Sequence, residues 1–256
     1  GSITLPASAV VAGPDGNTDA GMITIITNPK TGVTSVTNAA SFEGGRNTET
    51  DDEFRARYYV STDFAGGVNL DAIIAAIYEN VEAVIAVTGE ENDTDETNAS
   101  GLPPHSIELV VYGGLDEEIA KAIHRRKGAG IQTFGNVTVP VVDAAGNIKN
   151  ISFSRPAPVN VWVRVFNLQT DNTFPLDGIE QIKQRLTEYI GSDTRGGLNI
   201  GQNVICVALP TEVFKVQGVV DFDLQISPDG EAYSWQNITI AAREKAVTNE
   251  DMVVVE

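Results

Sequence analysis

An alternating run of valines constrains the fold more than any other feature of the sequence. Valines occupy every second position from Val159 to Val165, and Trp162 and Phe166 fall between them or just after. Successive side chains of a strand point to opposite faces of a sheet, so this pattern predicts one long strand. Because both faces carry bulky apolar groups, we expect this strand to be central in its sheet or covered on both sides.

Other segments predict strands and helices of ordinary length. Strands are predicted from alternation, or from apolar runs between turn signals, at Met22–Thr27, Ala83–Thr88, Ile107–Val111, Val137–Val142, Ile148–Phe153, Val220–Ile226, Tyr233–Ala241 and Met252–Val255. Helices are predicted to begin after Thr50, Asn69, Leu115 and Asp177, with a capping box at Thr50–Glu53 and Gly128 as one C-cap. Val204–Leu209, which Pro210 interrupts, fits either a buried strand or a short helix.

These elements predict an α+β fold with mixed and antiparallel sheets, four or five short helices and two subdomains. Strands and helices alternate, yet hairpins are also present, which favours mixed sheets over a purely parallel one. We divide the chain into a tag remnant (1–2), an N-terminal β segment (3–45), an α+β domain (46–154) and a second α+β domain (155–256). The likeness of Val81–Val87 to Val216–Phe222 fits either ordinary helix-to-strand returns or a duplicated unit.

The charge of the chain argues against two classes of partner. The 17 Lys and Arg and 35 Asp and Glu give a formal net charge of −18 at pH 7. Such a surface repels nucleic-acid phosphates and anionic lipids at long range. No apolar run reaches the roughly 20 residues of a membrane span, and no signal peptide begins the chain. We therefore expect neither nucleic acid nor membrane as a partner.

Motifs for catalysis or cofactor binding are missing from the sequence. We find no dinucleotide, P-loop, zinc-protease or nucleophile-elbow motif. The two histidines, His105 and His124, are expected to have surface or capping roles, and the acidic run Asp93–Glu96 to be solvated. The single cysteine, Cys206, is expected to be a small buried hydrophobe, with a reactive thiol as the alternative. We therefore expect no catalytic residue, cofactor, metal or small-molecule substrate.

Four stretches, in this order along the chain, resemble the baseplate J-like family of phage tail wedge proteins. They are GVTSVTN at Gly32–Asn38 with Gly44–Arg57, then GLPPHSIE at Gly101–Glu108, then Asp116–Ala120 with KGAGIQTFG at Lys127–Gly135, and finally FSRP at Phe153–Pro156. Together they extend the resemblance from about residue 12 to about residue 226. The ordered set is more specific than any single stretch.

The resemblance implies a structural subunit of the baseplate wedge in a contractile phage tail or tail-like injection particle. Such a subunit would be made in the bacterial cytoplasm and located in the tail baseplate. It would assemble around the hub, contact neighbouring wedge copies and relay the contraction signal. No catalytic residues are known for the family, so the resemblance supplies none. It also implies a longer N-terminal part, so we expect native sequence upstream of residue 3.

Two aromatic residues near the C-terminus are the predicted interface positions. Tyr233 and Trp235 lie one residue apart in a predicted strand and could contact a partner subunit, although an aromatic residue in a strand is more often part of the core. An alternative function is an adhesin-like module that binds a carbohydrate or receptor at the particle surface, which would need a concave site with stacked aromatic rings. A tail-associated hydrolase is the third possibility.

Overall fold

The computed structural model describes residues 2–51, 54 and 69–256. Contacts divide the chain into two compact units, Gly1–Thr48 and Glu49–Glu256, here called unit 1 and unit 2. Asp52 and Glu53 of the predicted capping box lie outside the described residues, as does most of the helix that was predicted to follow them.

Unit 1 contains turns and a short 3₁₀ helix at Pro14–Gly16. Thr18 and Phe42 form an isolated antiparallel bridge, with N–H···O distances of 2.9 and 2.8 Å. The predicted strand at Met22–Thr27 is wrong, because no described segment pairs with it in a ladder. Instead, the Asn38 side chain holds this region by accepting a hydrogen bond from the Ile23 N–H at 3.0 Å.

From residue 69 onward, the first half of unit 2 contains one sheet, a hairpin and two helices. Its elements in chain order are α1 (Leu70–Asn80), β1 (Val84–Asn92), β2 (Ser106–Gly113), α2 (Asp116–Arg126), β3 (Gln132–Phe134), β4 (Val137–Val142) and β5 (Ile148–Phe153). The sheet has the order β1-β2-β3, antiparallel and then parallel. Strands β4 and β5 form the predicted hairpin. One hydrophobic core gathers α1, α2, β2 and this hairpin.

Both helices of this half begin as the sequence predicts, but two other boundaries move. The Asn69 side chain accepts a hydrogen bond from the Ala72 N–H at 3.0 Å, which confirms the predicted cap of α1. Strand β1 extends to Asn92, past its predicted end at Thr88, because its ladder with β2 continues to Ser106. The predicted C-cap at Gly128 is wrong by one residue, since α2 ends with Lys127 as its cap.

The second half of unit 2 places its sheet against two helices. Its elements are β6 (Ala157–Asn160), β7 (Trp162–Thr170), α3 (Gly178–Ile190), α4 (Leu209–Val213), β8 (Val219–Ser227), β9 (Glu244–Val247) and β10 (Val253–Val255), with 3₁₀ turns at Cys206–Ala208 and Glu250–Met252. The sheet has the order β10-β7-β8, and β6 pairs with β9. The ambiguous segment Val204–Leu209 is helical from Cys206 onward, with Pro210 in the first turn of α4, whereas Val204 forms an isolated bridge with Ile238.

The valine run is central, as predicted, but it forms two strands. Val161, Val163 and Val165 are fully buried, and β7 lies between β10 and β8. The run is interrupted at Val161, whose N–H donates to the Val247 carbonyl. Before this point β6 pairs with β9, and after it β7 pairs with β8. The predicted strand at Tyr233–Ala241 is wrong. It is a loop with isolated bridges at Ser234 and Ile238, and no backbone ladder extends from either bridge.

The fold class is confirmed: the described residues contain four α-helices and ten strands in mixed and antiparallel sheets. Two hydrophobic clusters lie on either side of the predicted boundary at residue 154, one drawn from residues 73–153 and one from 161–253. The boundary itself stays a prediction. The segments Val81–Val87 and Val216–Phe222 each follow a helix and enter a strand, which leaves both explanations of their likeness open. Among the described helices, none has the length and hydropathy of a membrane-spanning segment.

An ion pair with a buried carboxylate connects the two halves of unit 2. Glu108 on β2 is 3% exposed. Its carboxylate accepts two hydrogen bonds at 2.9 Å from the Arg243 Nε and one at 2.6 Å from the Arg243 Nη2. The Ser154 hydroxyl donates to the same carboxylate at 2.5 Å. Glu108 is therefore a buried carboxylate on β2. Through Arg243 it holds the loop that precedes β9 in place.

We predict that Arg243→Met destabilises the protein by about 2 kcal/mol or more, because it leaves the Glu108 charge buried without its cation. Arg164→Met is the matched control. The Arg164 and Arg243 side chains are both 43% exposed, but Glu256, the partner of Arg164, is 55% exposed. The control is therefore expected to cost less than about 1 kcal/mol. Urea unfolding followed by circular dichroism measures both, and equal losses would contradict the prediction.

Candidate interaction surface

A groove of about 410 Å³ runs along the outer edge of the second sheet of unit 2. Four aromatic side chains line it: Phe166 on β7, Phe214 just after α4, Phe222 on β8, and Trp235 in the loop after β8. We call it the aromatic groove. Phe214 is 53% exposed and Trp235 is 50% exposed. Clustered aromatic groups left half in water are typical of surfaces that bind a partner.

Strands and a helix place three of the aromatic side chains, and a turn places the fourth, Trp235. The Phe214 and Phe222 rings have centroids 4.9 Å apart and are tilted by 51°. Phe166 lies on the strand next to β8, in register with Asp223. Offset and tilted ring pairs are favourable packing geometries. The β7–β8 ladder therefore places Phe166 and Phe222, and the end of α4 places Phe214 against Phe222.

Trp235 is positioned by a turn centred on Asp229. The Asp229 carboxylate accepts hydrogen bonds from the Ser227 hydroxyl at 2.6 Å, the Glu231 N–H at 2.9 Å and the Ala232 N–H at 3.0 Å. These bonds lower the pKa of Asp229 to about 2, with the Ser227 hydroxyl as the largest cause. Next in the chain, Ser234 exchanges two backbone hydrogen bonds with Ile226, both of 2.9 Å. The chain is thus fixed immediately before the indole side chain.

Two carboxylates give the aromatic groove a negative charge. Asp221 and Asp223 both line it. Asp221 accepts a hydrogen bond from the Phe222 N–H at 2.9 Å, and Asp223 accepts one from the Asn167 side-chain amide at 2.7 Å. Both donors are neutral, so neither hydrogen bond brings a positive charge to the groove.

The nearby cations already have acidic partners. Arg164 pairs with Glu256 at 2.9 Å, and Lys215 pairs with Glu212 at 2.8 Å. Among the described residues, no cation forms an ion pair with either carboxylate of the aromatic groove. The groove therefore combines apolar rings with an unneutralised negative charge.

The structure places the two predicted interface residues in different surroundings. Trp235 lies in the aromatic groove, whereas Tyr233 is half-buried and does not line it. Their role as an interface stays a prediction. Sequence reasoning did not find Phe166, Phe214 or Phe222 as members of the same surface. The alternation of Phe222 with acidic residues marks a strand, but no local signal indicates that α4 brings Phe214 next to it.

The residues considered for metal or acid–base chemistry lie apart from the aromatic groove. His105 contacts Asp95 at 2.9 Å on the surface. His124 lies in the last turn of α2. Within residues 2–51, 54 and 69–256, no three His, Cys, Asp or Glu side chains come together as a metal site. The acidic run Asp93–Glu96 is exposed, as predicted, and the buried Asn92 side chain donates to the Glu96, Leu102 and Pro103 carbonyls to close its loop.

A second contact between the halves of unit 2 brings the Lys245 ammonium to the Tyr112 ring. Lys245 on β9 is fully buried, and its Nζ donates to the Gly196 and Leu198 carbonyls at 2.8 and 2.6 Å. This ammonium also lies 5.4 Å from the centre of the Tyr112 ring. Burial, and then the hydrogen bond to Asp193 and its charge, raise the pKa of Tyr112 well above its usual value. These groups make contacts within the folded chain, and none of them lines the aromatic groove.

Cys206 is buried, as predicted, with 1% of its surface exposed. Burial raises the pKa of its thiol to about 11. At pH 8 only about 0.1% of the thiol is then ionised, and the thiolate is the reactive form.

We therefore predict that the folded protein reacts slowly with Ellman's reagent at pH 8. The same protein unfolded in urea should release one equivalent of chromophore within minutes, because the exposed thiol regains its ordinary pKa. Absorbance at equal protein concentration measures both reactions. A fast reaction of the folded protein would support the alternative of a reactive thiol.

Comparison with known proteins yields a match for the N-terminal segment. Residues 1–45 match a family model described as Baseplate J-like protein barrel domain. The match includes two of the glycine-containing stretches that carried the resemblance, Gly32–Asn38 and the start of Gly44–Arg57. It confirms the family that the sequence indicated, over these residues. The search of curated proteins returns no match.

The matched family indicates a structural protein associated with the phage tail baseplate. It also indicates that the partners include other baseplate proteins. Within the matched residues the described chain has turns, one 3₁₀ helix and one isolated bridge. A barrel is closed by continuous strand pairing, which residues 2–45 do not show.

Proposed function

We propose that this protein is a wedge subunit of a contractile tail or tail-like injection particle, that it assembles around the hub, and that it relays the contraction signal. The observation that carries the proposal is the match of residues 1–45 to the baseplate family. The ordered stretches from Gly101 to Pro156 add support, because they resemble the same family beyond the matched segment.

The surface of unit 1 supports a role in assembly. Most large apolar side chains of this unit are exposed, among them Ile3 at 82%, Leu5 at 70%, Val11 at 77%, Met22 at 67% and Ile25 at 79%. Unit 1 buries none of these side chains against itself. Exposed apolar groups in such number are typical of a surface that another protein covers. Wedge and hub proteins, including neighbouring wedge copies, are the proposed partners, and nucleic acid, membrane and small-molecule substrates are not.

We also propose that the protein is not an enzyme. The aromatic groove contains carboxylates but no histidine, cysteine or serine that could act as their catalytic partner. One observation favours the alternative of an adhesin-like module: a half-exposed tryptophan beside carboxylates and an amide is also a surface on which sugar rings stack. Binding of a glycan array by the isolated protein would support this alternative.

The wedge proposal predicts that the full-length protein is incorporated into particles. A tagged copy, expressed in the bacterium that carries the gene, should sediment with sheath and tube proteins. Deletion of the gene should stop the formation of contractile tails, because a ring without its wedge subunit cannot close. Electron microscopy and mass spectrometry of the sedimented fraction measure both effects.

Two outcomes would count against the proposal. Normal contractile tails in the deletion strain would exclude an essential wedge role. Turnover of cell-wall polysaccharide or peptide by the purified protein would contradict a purely structural function. A strain that carries the tagged copy in place of the native gene is the control for expression level.

A further inference from the structure

We propose that the aromatic groove binds an arginine- or lysine-bearing segment of a neighbouring baseplate subunit, with the cation between the carboxylates and the aromatic rings. This inference rests on the proposed function for the identity of the partner. The chemistry of the groove specifies the side chain that enters it.

The first argument is the size and shape of the aromatic groove. Its volume of about 410 Å³ accommodates a few side chains, not a folded domain. Phe214 and Trp235 each leave about half of their surface open. The long aliphatic part of an arginine or lysine side chain can cover such rings while its charged end remains in contact with water or polar groups. A cation also gains attraction from the ring faces.

The second argument is charge complementarity. Asp221 and Asp223 have neutral hydrogen-bond donors and no cation among the described residues. A guanidinium or ammonium that enters the groove would supply the missing positive charge. The chain carries a net charge of −18, which disfavours an acidic partner at long range.

The same surface already shows this type of contact within the chain. The Arg164 guanidinium lies 5.4 Å from the centre of the Phe166 ring. It also pairs with the Glu256 carboxylate. An arginine stacked on an aromatic ring and neutralised by a carboxylate is therefore compatible with the local geometry. We infer that an incoming cation makes the equivalent arrangement with Asp221, Asp223 and the remaining rings.

Peptide titration tests the chemistry without requiring a particle. Trp162→Phe leaves Trp235 as the single tryptophan, so its fluorescence reports on the groove. The peptide acetyl-Leu-Arg-Leu-amide should change this fluorescence saturably and bind at least about tenfold more tightly than acetyl-Leu-Gln-Leu-amide, a difference of about 1.4 kcal/mol. Asp221→Asn with Asp223→Asn should remove that preference.

The matched control removes the same charge elsewhere. Asp93→Asn with Glu96→Gln changes two exposed acids of the distant loop and should leave binding of the arginine peptide unchanged. Equal binding of the arginine and glutamine peptides would overturn the inference. So would the absence of saturable binding up to about 10 mM, or saturation by diacetylchitobiose in place of the peptide, which would favour the adhesin-like alternative.

Crosslinking in the particle tests the identity of the partner. Trp235→p-benzoylphenylalanine in the full-length protein should crosslink to a peptide of another baseplate subunit that contains arginine or lysine. Adding Asp221→Asn and Asp223→Asn should reduce the yield at least about threefold, since the carboxylates no longer attract the cation. Particles that contain the protein but give no such crosslink would overturn this inference and leave the wedge proposal intact. Absence of the protein from particles would count against the wedge proposal, whereas the peptide result would stand.

Discussion

The antiparallel pairing of β7 with β8 is the interaction on which both the core and the candidate surface depend. On one face of this pair, Val163 and Val165 oppose Ile226 and Leu224 in the hydrophobic core. Phe166 is in register with Asp223, and both line the aromatic groove. Because side chains alternate across a strand, one ladder fixes the core face, with Leu224, and the opposite face, with Phe166 and Asp223. A shift of register by one residue would exchange the two faces.

Two cationic side chains of the second half of unit 2, Arg243 and Lys245, contact its first half. Arg243 reaches from the loop before β9 to Glu108 on β2, and Lys245 on β9 lies near Tyr112 of the same strand. Both cations come from a single short segment near the C-terminus. Buried polar pairs contribute little net stability compared with apolar packing, but they penalise every arrangement that leaves a charge unpaired. These contacts therefore contribute more to fixing the orientation of the two halves than to the free energy of unfolding.

The elements that local sequence determines were predictable, and those that depend on distant partners were not. The cap of α1 at Asn69, the β4–β5 hairpin and the buried valines follow from periodicity, capping and turn residues. The end of β1 and the loop around Trp235 depend on which segment pairs with them. The burial of Glu108 could not be inferred either, since its cation is 135 positions away in the sequence.

The same limit applies to the candidate surface. Trp235 was identified from its residue type and position, but the aromatic groove needs Phe214 from the helix α4 and Phe166 from β7 as well. The isolated bridge of Ser234 to Ile226 has a further consequence for the exposed edge of this sheet. Strand β8 is the outermost strand of its sheet, and an open strand of this kind can template the addition of further chains. The bridge occupies the backbone of Ile226, and acidic side chains lie farther along β8. Both features discourage the addition of further strands at this edge of the sheet.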